Sequence, residues 1–175
     1  MSNSVKKILL IVNIIILFVI TGFSAIKEES YKKLDSYFYL ELTPVDPRSL
    51  LQGDYMTLNY DITDRAEEAI YNRMYNNKDE NSKFLDMRRG YIVIRLKENR
   101  VAEFVKITKE KTDKKGLFFI AFKRDGFNVN INVNSYLFQE GTGDKYQNAC
   151  YSKVVLVGNN LRLIDLRDKD FKEIK

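Results

Sequence analysis

From Ile8 to Ile26 the chain is apolar almost without interruption, broken only by Asn13, Thr21, Gly22 and Ser24. At about 1.5 Å of rise per residue, a helix of that length approaches the roughly 30 Å of a bilayer core. The run therefore predicts a tail over 1–7, a transmembrane anchor over 8–26, a stalk over 27–33 and a domain over 34–175. Lys6 and Lys7 precede it, so the positive-inside rule places the N-terminus in the cytoplasm and the domain outside, in the cytoplasmic (inner) membrane. Lys27, Lys32 and Lys33 follow it and reduce that asymmetry. A signal peptide cut after Ser24 is the alternative, but the apolar stretch exceeds the usual h-region of about 7–15 residues.

The 29 Lys+Arg residues outnumber the 24 Asp+Glu for a formal net charge of +5. No basic run is longer than a pair, and no basic stripe is interleaved with aromatics, so nucleic acid is not an expected partner. With no histidine and one cysteine, zinc, copper and haem sites are not expected. No EF-hand spacing marks a calcium loop, and neither a metal site nor another cofactor is predicted. Cys150 has no partner within the chain for a disulfide and reads as a small buried residue.

Beyond the stalk the pattern is that of strands. Phe38, Leu40 and Leu42 alternate with Tyr37, Tyr39 and Glu41, and Met56, Leu58 and Tyr60 alternate again after a Gln52-Gly53-Asp54 turn. Pro44 and Pro47, the only prolines, hold the intervening path extended. Asp64 followed by Glu67 resembles a capping box, and Ala66, Ala69, Ile70 and Met74 recur at helical spacing, predicting an amphipathic helix over 64–76. A polar loop follows over 76–83.

Ile92, Ile94 and Leu96 then alternate with Tyr91, Val93 and Arg95, and Glu98-Asn99 turns into a strand over 101–108. A charged loop, 109–116, precedes a strand over 117–123, and Asp125-Gly126 predicts a hairpin. The returning strand carries Phe127, Val129, Ile131 and Val133 inward, and Asn128, Asn130, Asn132 and Asn134 on a face expected to be solvated. After a short turn or helix through Ala149, the segments 151–157 and 161–166 form a last hairpin. The sum is mainly β: an antiparallel sheet or partly open barrel with one amphipathic helix, behind one N-terminal transmembrane helix.

Gly53, Asp54, Tyr55, Leu58 and Tyr60 stand in a spacing that resembles the bacterial family named for its GDYXXLXY motif. Tyr136 to Gly143 with Tyr146, Ala149 and Tyr151, and the closing Leu163 to Asp168, are similar to that family too. The resemblance implies a membrane-anchored, extracytoplasmic protein of a kind often found alongside multi-span membrane proteins, and implies no particular reaction. In the residues themselves, Gly53 permits a tight turn, Asp54 can bond its own backbone, and Arg48 can pair with Asp46 or Asp54. If the two glycine-bearing loops meet, Asp46, Arg48, Gly53, Asp54, Tyr55, Tyr60, Glu140, Gly141 and Gly143 form a binding rim.

Ser49 to Asp54 is also similar to the segment that follows the nucleophile of type I signal peptidases, and Arg88 to Ile94 with Glu103 to Lys106 to their later strand pair. Lys106 falls at the general-base position, but Val45 occupies that of the nucleophile and has no attacking atom. No catalytic residue is assigned. The expected function is a membrane-anchored binding or accessory subunit for an integral membrane or envelope partner; the alternative is a signal-peptidase-like or other hydrolase using Ser49 with Lys106, or Asp54 with Glu140.

Overall fold

The computed structural model describes residues 9–22, 36–43, 55–76, 87–112, 114–139 and 141–174. The chain divides into two compact units, Met1–Asp35 and Ser36–Lys175. In the first, residues 9–22 are helical (α1) and exposed throughout. The expected stalk and the polar loop over 77–83 lie outside the described residues.

The second unit is mainly β. Its strands are β1 (Tyr37–Glu41), β2 (Tyr55–Thr57), β3 (Arg89–Leu96), β4 (Ala102–Thr108), β5 (Phe118–Asp125), β6 (Asn128–Asn130), β7 (Ser135–Leu137), β8 (Tyr151–Val157) and β9 (Asn160–Arg167). One helix, α2 (Asp61–Asn76), follows β2, and a 3₁₀ turn spans Gly143–Asn148. The order is β1-β8-β9 in one sheet, β4-β3-β5-β6 in a second and β2-β7 in a small ribbon, and each of these pairings is antiparallel.

The two larger sheets are stitched along both edges. On one side Tyr39 donates its N–H to the Arg100 carbonyl at 2.9 Å and forms a parallel bridge with Val101. On the other, Ala121 donates to the Asn159 carbonyl at 2.9 Å. The sheets thus curl around a shared interior as a partly open barrel. Arg100 takes a left-handed φ of 63° in the β3–β4 turn, a costly conformation for a non-glycine residue. It is locked there by the Tyr39 bond and by its guanidinium, 4.6 Å from the centre of the Tyr37 ring.

Alternation supplies the core. Phe38 and Leu40 of β1, Ile92 and Ile94 of β3, Ile120 of β5, Val154 of β8 and Leu161 and Leu166 of β9 are all buried. Each such side chain contributes about 1.5–3 kcal/mol of transfer free energy relative to exposure. Val93, expected on the solvent face, is buried as well. It stands where the β3–β4 register slips, Val93 facing Lys106 and Ile94 facing Phe104, so that Val105 is the additional residue of a bulge.

Helix α2 begins at Asp61, three residues before the expected start. The Tyr60 carbonyl accepts the N–H groups of Thr63 and Asp64 and the Thr63 hydroxyl, so the helix is nucleated by the strand end itself. Asp64 and Glu67 form no capping box. Asp64 accepts the Thr43 hydroxyl at 2.8 Å, and Glu67 accepts the Val129 N–H at 2.7 Å. Both carboxylates fasten the helix to neighbouring chain, while Ile62, Ala66 and Ile70 form its buried stripe.

The strand expected from Phe127 is shorter. Phe127 lies in the turn, 49 % exposed, with its ring centre 6.2 Å from that of Tyr71. Only Asn128–Asn130 pairs with β5; Ile131 and Val133 leave the sheet but remain buried. Cys150 is partly exposed rather than buried. Its role is carried by the backbone, which accepts the Leu42 N–H and donates to the Arg167 carbonyl.

Gly90 sits on the core side of β3 against its neighbours, and a Cβ there would lie 2.8 Å from the Thr108 carbonyl oxygen and 3.0 Å from the Phe122 ring. We expect Gly90→Ala to lower unfolding free energy by about 1–3 kcal/mol through overpacking, measured by urea titration; an unchanged midpoint would show that β3 and β4 can part at no cost.

Candidate functional site

Most of the expected rim lies outside the described residues: Asp46, Arg48, Gly53, Asp54 and Glu140. What is described does bring the two motif segments together. Tyr55 is the register partner of Leu137, Met56 of Tyr136 and Thr57 of Ser135, and Leu58 donates its N–H to the Asn134 carbonyl. Tyr55 and Leu137 are 45 % and 77 % exposed. Gly141 adopts φ 77° in the following loop, a conformation suited to glycine, and Gly143 opens the 3₁₀ turn.

Tyr60 is a core residue, not a rim residue. It is 1 % exposed, its hydroxyl donates to the Val133 carbonyl at 2.6 Å, and it receives the Ser152 hydroxyl at 3.4 Å. Its backbone bridges to Leu42. Alternation placed it inward, where its side chain is enclosed by the core. Leu58 is likewise buried. The aromatics of the second motif pack on one another: the Tyr146 ring lies 5.2 Å from Tyr136 and 5.4 Å from Phe138. In the third motif Arg167 holds Asp165 through two bonds, at 2.6 and 2.8 Å.

Lys106, the expected position of a general base, is exposed on β4. Ser49, its supposed partner, lies outside the described residues. Among the described residues no group of three or more His, Cys, Asp or Glu side chains is placed to hold a metal ion.

The chemistry that does converge lies on the outer face of the second sheet. Ile92 pairs with Ile120 and Gly90 with Phe122 on the core side, so Arg89, Tyr91, Ala121 and Lys123 face outward. There they border a concavity of about 380 Å³ that Lys109, Asn130, Asn132 and Asn160 complete. Arg89 stands directly opposite Lys123, and Lys123 opposite Asn130. Asn132 is not a free solvated amide: its nitrogen donates to the Leu161 carbonyl at 2.6 Å and its oxygen accepts the Leu161 N–H at 2.9 Å. That side chain pairs with β9 as a strand backbone would and fixes one wall. Sequence reading missed this basic cluster because its cations come from β3, β5 and the loop after β4.

Burial raises the Tyr60 phenol well above the ordinary tyrosine value of about 10. Burial, aided by the Tyr146 hydrogen bond, pushes Tyr136 up to about 12. Above pH 10 the unfolded chain loses these protons while the folded chain keeps them. The folded state then binds more protons, and stability falls as pH rises from about 10 toward 12. Tyr60→Phe is expected to cost about 1–3 kcal/mol at neutral pH, by leaving the Val133 carbonyl unpaired, and to make the alkaline decline shallower. Denaturant titrations at several pH values test both; an alkaline slope as steep as that of the native chain would exclude Tyr60 as a source.

Neither a curated protein nor a solved structure matches the chain. A family model does, the GDYXXLXY protein model, over residues 17–163. That match covers α2, eight of the nine strands in full and the first half of β9, including the Tyr60 contacts that join them. The chain belongs to the GDYXXLXY family.

Proposed function

We propose that the chain is a membrane-tethered binding or accessory subunit, anchored through the segment 8–26 with its β domain outside the cytoplasm, and acting on an integral membrane or envelope partner. The observation that carries the reading is α1: Leu9 to Ile20 presents apolar side chains at every position but Asn13, with Leu17 61 % and Phe18 73 % exposed. Soluble surfaces rarely sustain so continuous an apolar cylinder. Its hydroxyl is satisfied internally, since Thr21 donates to the carbonyls of Leu17 at 2.9 Å and Phe18 at 3.2 Å. A hydroxyl bonded within its own helix suits surroundings without water.

Among the described residues no helix is long and apolar enough to cross a membrane. Spanning requires the helix to continue through Ile26, along the apolar sequence that flanks 9–22. The β domain supports a binding role through its cationic concavity. A ligand site on a sheet face needs no catalytic set.

Carbonate extraction of membranes from cells expressing the full chain with a C-terminal tag, followed by protease treatment of intact spheroplasts, tests the tether. We expect the chain to stay in the pellet and the tag to be digested from outside. Release by carbonate, or a protected tag, would refute it. Copurification in mild detergent tests the accessory role: an integral membrane protein is expected with the chain, and recovery of the chain alone would count against that role.

A further inference from the structure

We propose that the outer face of the β3–β5 sheet binds a phosphate-bearing polyol or sugar, with the phosphate held between Arg89, Lys109 and Lys123. The inference rests on reading the β domain as a binding module and gives that module a ligand class.

Charge carries it first. Arg89 and Lys123 are direct cross-strand partners, and like charges so placed destabilise a sheet. Both are exposed, and among the described residues no ion pair reaches either and no aspartate or glutamate borders the concavity. Lys109 adds a third cation from a different segment. Three cations around one recess concentrate positive potential where an anion would relieve it. Phosphate accepts several charge-assisted bonds at once, and Arg89 offers a planar fork of donors.

Shape and polarity specify the rest. Ala121 faces Tyr91 across the strands; its single methyl leaves room above the sheet, and the Tyr91 ring makes a side wall. That ring is steadied edge-on by Phe119, at 6.4 Å and 80°. Asn130 and Asn160 place amides, each both donor and acceptor, beside the cations, as ligand hydroxyls require. A recess of about 380 Å³ suits one small molecule, and Asn132, committed to Leu161, holds its wall rigid.

Calorimetric titration of the full chain in detergent with glycerol 3-phosphate tests the site, with glycerol as the uncharged control. We expect saturable binding of the phosphate ester and none of glycerol. The double variant Arg89→Gln, Lys123→Gln should weaken binding about tenfold or more. Ala121→Leu, which keeps every charge and fills the recess, should weaken it comparably. Absence of saturable binding, or binding unchanged in both variants, overturns the proposal. Loss in the charge variant alone also overturns it, since that marks attraction without a seat. Dihexanoyl-phosphatidylglycerol separates the sources: binding through the same residues assigns a lipid headgroup, whereas binding of the free ester alone assigns a soluble ligand, and either upholds the site. A chain that sediments with membranes and binds no phosphate ester would lose this inference and keep its tether.

Discussion

One buried phenol organises the β domain. The Tyr60 hydroxyl is tied to Val133 on the segment leaving β6 and to Ser152 on β8. Its backbone bridges to Leu42 and opens helix α2. Three segments distant in sequence, at Leu42, Val133 and Ser152, therefore meet at one residue. The arrangement is demanding, because a buried hydroxyl or carbonyl left without its partner costs about 1–3 kcal/mol. That demand gives the family motif a structural meaning at its Leu58-to-Tyr60 end: Leu58 fills the core, and Tyr60 both fills it and fastens it.

Around this centre the second sheet has two unlike faces. Its inner face is the aliphatic surface of Ile92, Ile94 and Ile120, stabilised by removal from water. Its outer face sets two cations opposite each other beside a third, an arrangement that opposes sheet stability. A fold rigid enough on one side can hold an unfavourable charge arrangement on the other, and such arrangements mark places built for something besides folding. The stitches at Tyr39–Arg100 and Ala121–Asn159 supply that rigidity, and the second of them starts from Ala121, which borders the recess.

Much of the architecture was legible in the residues. Alternation identified Phe38, Leu40, Met56, Leu58, Tyr60, Ile92 and Ile94 as inward, and all are buried. The Asp125-Gly126 turn was marked by its turn chemistry, with φ of 60° at Gly126. Less local features were hidden. The helix start moved to Asp61 because Tyr60, a tertiary hub, supplied the acceptor that a capping side chain would otherwise provide. Strand β7 escaped notice because its short Ser-Tyr-Leu pattern acquires meaning only opposite β2. The binding rim divided for the same reason: Tyr55 stays outside and Tyr60 goes inside, although both belong to one motif.

By itself, then, the sequence determined which positions face inward, where the chain must turn, and which family it joins, because periodicity, turn chemistry and motif spacing are local properties written along the backbone. Tertiary structure alone decided which distant segments pair, that the third asparagine of the row, Asn132, grips β9 instead of facing water, and that cations scattered from Arg89 to Lys123 gather around one recess. Those outcomes depend on strand register, and register is set by the whole set of buried contacts rather than by any single stretch of residues.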